Sequence, residues 1–296
     1  MTRLQANMLL LLTGAIWGMG FVAQSTAMAA IGPFLFIGLR FGVATVAILP
    51  LALREARVSG RALSLRDWRV FAGIGAILFG GMAAQQAGLM TTSVTNSGFL
   101  TGLYLIFVPF LGVALFRDFP HWVVWPSAFA ALGGVFLLSG GRLDGLKTGD
   151  WLTILCAGFW ALQILFITRY ANHTGRPVTL AVTQFAVTAV LALAVALPFE
   201  RIDFSAIRLA VPEILFAGVF AGGIAFTMQT VGQRHTTAAN AAIILSSEAL
   251  FAALFGALML GDRLNGMAAL GCALIFAAML AVELIPLALK RRALTP

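Results

Sequence analysis

Ten runs of 18 to 24 mostly apolar residues, separated by short polar gaps, limit the fold of this chain more than any other feature. Each run is long enough to cross a hydrocarbon core of about 30 Å as an α-helix. The runs are too long for barrel strands and lack their two-residue alternation, so helices are the expected form. We therefore predict an all-α polytopic membrane protein whose ten transmembrane helices cover residues 6–24, 33–53, 70–89, 95–116, 122–139, 151–168, 177–199, 210–232, 237–260 and 266–289.

Composition supports the membrane class and excludes an ordinary soluble domain. Hydrophobic residues make up 60% of the 296 residues and charged residues only 10%, whereas soluble domains are about 45–50% apolar and about 25% charged. A lipid bilayer accepts so apolar a surface, so we expect it as a partner. The net charge of +8 does not indicate a nucleic-acid partner, because the basic residues lie in short gaps between apolar runs rather than along one face.

The distribution of Lys and Arg predicts the orientation in the membrane. If the N-terminus is cytoplasmic, 13 basic residues lie inside and 5 outside, and Arg40 lies within a span. Cytoplasmic loops are enriched in Lys and Arg, so both termini are predicted to be cytoplasmic, which requires an even number of spans. The first run is longer than the apolar core of a signal peptide, and we interpret it as an uncleaved first helix.

The sequence repeats itself at an offset of 144 residues. Matching pairs include Pro33 with Pro177, Phe41 with Phe185, Gln85 with Gln229, Asn96 with Asn240 and Asp118 with Asp262. Each half holds five spans, an odd number, so equivalent helices run in opposite directions across the bilayer. We predict two inverted five-helix repeats, residues 1–140 and 141–296, which is the arrangement that supports alternating access to a substrate near the midplane.

Two short motifs add a family resemblance. Gly-Ala-Ile-Trp-Gly covers residues 14–18 in the first span, and Ala-Ala-Asn-Ala-Ala at residues 238–242 opens the ninth span, followed by Glu248 and by Gly261-Asp262. Together with the five-plus-five repeat, these motifs resemble the EamA branch of the drug/metabolite transporter superfamily. Within that branch the chain looks most like the YddG-type exporters of aromatic and other amino acids.

The resemblance implies a bacterial secondary transporter of the cytoplasmic (inner) membrane that exports small amphipathic metabolites and functions as a monomer. It also implies a central cavity lined by the first, third, fourth, sixth, eighth and ninth helices, with the fifth and tenth helices at the periphery.

Polar and aromatic residues within the spans are the candidates for substrate binding, because such side chains are costly in hydrocarbon and usually face a cavity or each other. Trp17 and Trp160 lie mid-span, where an interfacial aromatic belt does not explain them. Asn240 lies near a helix start, where capping is the alternative role. For Gln85 and Gln229 the alternative is hydrogen bonding between helices. The predicted substrate-binding residues are Trp17, Gln24, Gln85, Tyr104, Trp160, Gln163, Gln229, Asn240, Ser246 and Glu248.

Two charged residues lie deep within spans, Arg40 in the second and Glu248 near the middle of the ninth. Glu248 is predicted to bind a substrate amino group or to carry a proton in an exchange cycle, and the alternative is a structural ion pair with Arg40. Their repeat partners are Gln184 and Tyr104, so the charge is asymmetric although the scaffold is symmetric. The sequence permits proton coupling without requiring it.

Glycines four residues apart recur in four spans, as Gly14/Gly18, Gly38/Gly42, Gly98/Gly102 and Gly218/Gly222. Small residues at this spacing let membrane helices approach closely. We interpret these faces either as static packing surfaces or as surfaces that slide during transport.

Motifs of enzymes and cofactor sites are missing from the sequence. There is no Walker A or His-Glu-x-x-His sequence, the three histidines are far apart in predicted loops, and Cys156 and Cys272 lie in apolar runs. We expect no metal, no cofactor and no catalytic role. Few basic residues reach the midplane, so amino acids suit the site better than sugar nucleotides. The alternatives are efflux of drug-like cations or other metabolites by the same fold, and, in a different class, an intramembrane enzyme or a membrane assembly component.

Overall fold

The computed structural model of the chain describes residues 1–27, 31–60, 62–92, 94–141, 147–255, 257–258 and 265–294, with side chains at all of these except 20–27, 94–95 and 290–294. This described part contains helices and turns but no β-strand. One segment, Ala217–Ala225, is π-helical. The α-helices are α1 (Arg3–Ala27), α2 (Pro33–Ser59), α3 (Leu65–Leu89), α4 (Val94–Thr101), α5 (Tyr104–Phe116), α6 (Val124–Leu138), α7 (Thr148–Thr174), α8 (Pro177–Phe199), α9 (Phe204–Leu209), α10 (Val211–Phe216), α11 (Phe226–Gln233), α12 (Ala238–Leu245), α13 (Ser247–Phe255) and α14 (Gly266–Leu294).

The predicted membrane class and helical fold are confirmed. Within the described residues, eight helical segments are long and apolar enough to cross a membrane, and α6 is a shorter apolar helix. These nine, preceded by the 25-residue α1, follow the ten predicted runs in the same order. The count of ten crossings and the orientation of the termini stay predictions. Gly261 and Asp262 of the family motif, and the predicted end of the ninth span, lie outside the described residues.

Two helices extend well beyond their predicted spans. α2 runs to Ser59 and α7 to Thr174, each six residues past the predicted end. An apolar run marks only the length that hydrocarbon requires, whereas the helix continues until a residue stops it. Both helices stop at a glycine in the left-handed conformation, Gly60 with φ of +61° and Gly175 with φ of +68°, which is a common way for a helix to end.

The fourth and ninth predicted spans are interrupted at equivalent positions of the repeat. Turn residues separate α4 from α5 at Gly102–Leu103 and α12 from α13 at Ser246, and Gly102 and Ser246 are 144 residues apart. At both places a backbone N–H reaches only three residues back, from Leu103 to Leu100 and from Ala249 to Ser246. The fourth and ninth spans are thus present as predicted, and each contains a short interruption that the apolar pattern did not indicate. Interrupted helices in corresponding positions of two repeats indicate a transporter's binding site.

The eighth predicted span also departs from a regular helix. The π-helical segment Ala217–Ala225 lies between α10 and α11. Six of its nine residues are Ala or Gly, and the larger three are Val219, Phe220 and Ile224. Little side-chain bulk therefore opposes a wide turn. π-turns of this kind occur frequently at functional sites.

Helices of one half pack against helices of the other. α2 packs on α8, α6 on α14, and α3 on α7, while α1 packs on α11, on the π-helical segment and on α13. The pair of α3 with α7 is the repeat equivalent of the pair formed by α1 with the eighth span. α14 lies at the periphery, because only 17% of its most apolar window is buried compared with 61% for Val211–Gln233. The centre of the bundle is therefore built from both halves.

Glutamates cap the N-termini of α2 and α8 reciprocally. At one end, Glu200 after α8 accepts hydrogen bonds from the backbone N–H groups of Phe34 and Leu35, at 2.9 and 2.8 Å. At the other end, Glu55 in α2 accepts from the N–H groups of Val178 and Thr179, at 3.0 and 2.8 Å. We call these contacts the two end caps. These hydrogen bonds fix the register of α2 against α8, because a glutamate near the end of each helix accepts from the free N–H groups in the first turn of the other.

The two end caps differ in charge balance. Glu55 also accepts from the buried guanidinium of Arg176, at 3.4 Å, and Arg176 donates further to Ser59 at 2.9 Å and to Thr179 at 3.1 Å. At the equivalent place beside Glu200 stands Gly32, where an added Cβ would collide with the carboxylate. One end cap is therefore a buried ion pair, whereas the hydrogen bonds of the other to described residues all come from the backbone.

Candidate functional site

An aromatic cluster lies between the halves and consists of Trp17, Phe41, Trp160, Phe185 and Phe226. Phe226 is at its centre, with ring centroids 4.7 Å from Trp17, 5.8 Å from Trp160, 5.9 Å from Phe41 and 6.2 Å from Phe185. The three phenylalanines are almost fully buried, whereas the two tryptophans are half-buried. The accessible part of the cluster is thus formed by the indole rings of α1 and α7. The mid-span positions of Trp17 and Trp160 had indicated such a wall.

The π-helical segment fixes the orientation of Trp17. The indole Nε1–H of Trp17 donates to the carbonyl of Ala221 at 3.0 Å. One turn earlier on α1, the hydroxyl of Thr13 donates to the carbonyl of Ala225 at 3.2 Å. The wide turn leaves carbonyl groups available to a neighbouring helix. Trp17 therefore presents a ring to the cluster rather than a free donor.

Trp160 has no comparable anchor for its nitrogen. Its Nε1 atom is buried and is placed to donate to the sulfur of Cys156, which is a weak acceptor. The ring stacks on Phe226 at an interplanar angle of 17°. Because a thiol satisfies a buried N–H poorly, this donor would gain from a ligand that brings a stronger acceptor.

A polar group adjoins the aromatic cluster beside Trp160. Glu248 in the first turn of α13 is half-buried, and its carboxylate interacts electrostatically with Tyr104 and Cys156. Thr101 lies close to Cys156 and accepts a hydrogen bond from Nε2 of Gln85 at 3.4 Å. Tyr104 and Glu248 are repeat equivalents that directly follow the two helix interruptions. We call this group and the aromatic cluster together the candidate site.

Gln163 and Gln229, predicted to bind substrate, lie in a buried chain of glutamines. Nε2 of Gln229 donates to Oε1 of Gln163 at 3.3 Å, and Nε2 of Gln163 donates to Oε1 of Gln184 at 3.2 Å. The chain joins α11, α7 and α8, and each of its side chains is at most 1% exposed. These contacts are the interhelical alternative considered for Gln229, and a role in substrate binding stays a prediction for both residues.

The other predicted residues lie around the site. Asn240 is buried in the first turn of α12, where the hydroxyl of Thr237 accepts from its backbone N–H at 3.3 Å. Ser246, the turn residue between α12 and α13, donates to the carbonyl of Ile243 in α12 at 2.6 Å. The side chain of Gln24 lies outside the described residues. Neither of the two contacts tests a role in substrate binding, and that role stays a prediction for all three residues.

Arg40 contacts the aromatic cluster at Phe41. Its guanidinium carbon is 4.9 Å from the ring centroid of Phe41, and Nη2 is 3.9 Å from the sulfur of Met82. Glu248 lies instead next to α1, since its backbone oxygen would be 2.8 Å from a Cβ added to Gly18. The contacts described for the two side chains involve different helices, and an ion pair between them stays a prediction.

Sequence reasoning missed Cys156, Phe41, Phe185 and Phe226 as parts of the site. Phe41 and Phe185 are repeat equivalents, and their rings are 5.9 Å apart. That recurrence at an offset of 144 residues was a usable signal. Cys156 and Phe226 have no comparable signal, because apolar residues in an apolar run do not reveal which neighbour they face.

Repeat-equivalent glycines on α1 and α7 differ in how tightly a neighbouring helix packs on them. A Cβ added to Gly14 would collide with Oγ of Ser247, and one added to Gly18 would lie 2.7 Å from the Ala252 nitrogen. By contrast, a Cβ added to Gly158, the repeat equivalent of Gly14, would meet no atom within 4 Å. The face of α1 at Gly14 and Gly18 is thus packed tightly on α13, whereas the backbone of α7 at Gly158 borders open space.

Gly18→Ala should destabilise the protein, whereas Gly158→Ala should not. Two of the three atoms closest to the new Cβ at position 18 are backbone atoms, so α1 and α13 must separate. We expect a loss near the upper end of the 1–3 kcal/mol typical of overpacking, partly offset by the roughly 1 kcal/mol that Ala gains over Gly in a helix. At Gly158 only the gain remains. Thermal unfolding of both variants in detergent measures the difference, and equal midpoints would contradict the close contact.

Comparison with known proteins identifies the family. The model of the EamA-like transporter family matches residues 4–140 and again residues 147–284. The chain belongs to the EamA-like transporter family. An "uncharacterized transporter" of Archaeoglobus fulgidus is 30% identical over 284 residues, covering 95% of this chain and 87% of the relative. A solved crystal structure superposes with a TM-score of 0.82 over 98% of this chain and all of the other chain. The two sequences are 18% identical, so this likeness establishes the fold and not the function.

Membership confirms the coarser part of the sequence interpretation. This EamA-like transporter is a multi-pass membrane protein of the drug/metabolite transporter superfamily, and the family model matches once in each predicted repeat. Its expected ligand is a small molecule. Among the described residues, no three His, Cys, Asp or Glu side chains are grouped as a metal site would require. The resemblance to YddG-type exporters, with its implied substrates, is a finer statement that family membership does not reach.

Proposed function

We propose that this protein is a secondary transporter that exports small amphipathic metabolites, amino acids and aromatic amino acids in particular, by alternating access. In this proposal it acts as a monomer in the cytoplasmic (inner) membrane with both termini in the cytoplasm. Residues 1–140 and 141–296 are its two inverted repeats, and the substrate is held between them. The proposal is a refinement of the family's transporter function.

The observation that carries the proposal is the chemistry of the candidate site. Trp17 and Trp160 offer half-buried ring faces, to which an aromatic or aliphatic side chain can bind. Glu248 offers a carboxylate, which suits an ammonium group. Nε1 of Trp160 has the weakly accepting sulfur of Cys156 beside it and can donate instead to a substrate carboxylate. Rings, an anion and a donor within one site match the three parts of an amino acid.

The unequal packing of the halves supports alternating access. Gly14 and Gly18 of α1 are closed against α13, while Gly158 at the equivalent place on α7 borders open space. In an inverted repeat, exchanging the two arrangements would close the open side and open the closed one. The helix interruptions at Gly102–Leu103 and Ser246 lie next to Tyr104 and Glu248, so a bend there would move groups that line the candidate site.

Efflux of drug-like cations is the second candidate, because a carboxylate beside aromatic rings also suits a lipophilic cation. The two candidates differ in one group. An amino acid needs a donor for its carboxylate, and a cation does not. The donor at Trp160 therefore favours amino acids over cations.

Reconstitution into proteoliposomes tests the proposal. Uptake is measured for a panel of labelled amino acids and for lipophilic cations, with and without a proton gradient. We expect saturable uptake of aromatic amino acids, and N-acetyl or methyl-ester derivatives should compete poorly because each lacks one charged group. Dependence on the gradient would indicate proton exchange, and independence would indicate facilitated diffusion. If folded protein moves cations but no amino acid, the amino-acid assignment is wrong.

A further inference from the structure

A cleft of about 270 Å³ opens at the end of the bundle where α2 stops and α3 begins, outside the candidate site. It is lined by Ala56, Gly60, Ala62, Leu63, Trp68 and Arg176. Trp68 is 44% exposed, although it is a large apolar ring. Tryptophan in this position is typical of the boundary between hydrocarbon and headgroups.

Exposed arginines surround the lining residues in sequence. Arg54 and Arg57 precede Gly60 on α2, and Arg66 and Arg69 flank Trp68 on α3; all four are exposed. Arg61 adds a fifth positive charge within the same sixteen-residue stretch, 54–69. No other connection between predicted spans carries so many basic residues. Four exposed arginines therefore lie within six residues of Gly60 or Trp68 in sequence, and both of those residues line the cleft.

The two carboxylates in this stretch cancel only part of this charge, because five arginines outnumber them. The stretch 54–69 contains two acids, Glu55 and Asp67. Glu55 accepts hydrogen bonds from the N-terminus of α8 and forms an ion pair with Arg176. The positive charge of Arg176 is therefore neutralised within the wall of the cleft. Asp67 accepts from the backbone N–H of Ser64 at 2.9 Å in the N-terminal cap of α3. The excess positive charge belongs to the exposed arginines.

We propose that this cleft binds the phosphate headgroup of an anionic phospholipid, with the exposed arginines Arg54, Arg57, Arg66 and Arg69 around the phosphate and Trp68 at the glycerol and acyl boundary. Basic pockets between membrane helices on the cytoplasmic side bind anionic headgroups through such contacts. The predicted orientation puts this end of the bundle at the cytoplasmic leaflet. The site is independent of the substrate proposal, because it shares no residue with the candidate site.

Lipid titration of the purified full-length protein tests the proposal. The delipidated protein in neutral detergent is titrated with phosphatidylglycerol or phosphatidylcholine, and bound lipid is counted by native mass spectrometry. We expect the wild type to retain phosphatidylglycerol in preference to phosphatidylcholine. Arg57→Gln combined with Arg66→Gln should weaken phosphatidylglycerol binding on the order of tenfold or more, because each arginine near the surface contributes about 1 kcal/mol.

A matched control separates the cleft from general surface charge. Arg201→Gln combined with Arg208→Gln removes two exposed arginines from the connection after α8 and should leave binding unchanged. Equal loss in both double variants, or no preference for phosphatidylglycerol, would overturn the proposal. Ala62→Leu fills the cleft without changing charge, so it should also weaken binding, and wild-type affinity in this variant would count against the cleft.

Inorganic phosphate distinguishes a headgroup from a free anion. Phosphate is added to the lipid-loaded protein at matched ionic strength with sodium chloride as reference. We expect phosphate to displace no more lipid than chloride does. Displacement by phosphate alone would assign the site to a soluble anion and contradict the lipid proposal.

Discussion

Glu248→Gln should reduce amino-acid transport by about two orders of magnitude while leaving the protein folded. Truncating one partner of a close charge pair costs about 2–5 kcal/mol, and the proposed partner here is the substrate ammonium group. The carboxylate is the only one that interacts with Tyr104 and Cys156 among the described residues. Initial uptake rates in proteoliposomes, measured over a range of substrate concentrations, give the loss.

Glu283→Gln provides the matched control. Glu283 also lies within an apolar helix, α14, but it pairs with Arg3 at 3.2 Å at the periphery of the bundle. Its loss should leave uptake within about twofold of wild type, because pairs that are partly exposed contribute about 1 kcal/mol or less. If Glu248→Gln and Glu283→Gln transport equally well, Glu248 does not bind the substrate.

Glu55→Ala should be among the most destabilising single changes at the helix ends. It leaves the Arg176 guanidinium, only 5% exposed, without its carboxylate, and breaking a buried pair in this way costs about 3–5 kcal/mol. The N–H groups of Val178 and Thr179 lose an acceptor as well. We expect a clearly lower midpoint of thermal unfolding in detergent.

The opposite end cap supplies the comparison for Glu55. Glu200→Ala removes two backbone hydrogen bonds but leaves no buried cation, so its cost should be about 1–2 kcal/mol, as for other lost N-caps. In Glu55→Ala combined with Arg176→Met, part of the lost stability should return, because the uncompensated charge is gone. Equal midpoints for Glu55→Ala and Glu200→Ala would mean that the ion pair with Arg176 contributes nothing.

The membrane fold could be predicted because its main constraint is local. The length and polarity of each apolar run are sufficient to place a helix, and the observed helices follow those runs in order. The interruptions at Gly102–Leu103 and Ser246 could not be predicted in the same way, since the apolar pattern continues through both. The repeat, however, makes Gly102 and Ser246 equivalent, and a turn in one half is matched by a turn in the other.

The candidate site was predictable only where a residue type was unusual for its depth. Trp17, Trp160 and Glu248 are costly or bulky groups at mid-span, and the structure brings the two tryptophans into one cluster with ring centroids 6.4 Å apart. Glu55 and Glu200 were not recognised, because their partners are more than 120 residues away in sequence. Gln163 and Gln229 are also polar residues within spans, but the structure shows them in a hydrogen bond between helices.

The winding of the eighth span has a consequence for the transport cycle. Ala217–Ala225 is π-helical, while its repeat equivalent, residues 73–81 within α3, is ordinary α-helix. Two copies of one ancestral segment thus hold different numbers of residues per turn, and a wider turn rotates everything beyond it around the helix axis. If the repeats exchange conformations, residues 73–81 must widen as residues 217–225 tighten. The Ala221 carbonyl, which accepts from Trp17, would then bond within its own helix. Trp17 would lose this hydrogen bond at the step in which the backbone changes from π-helix to α-helix.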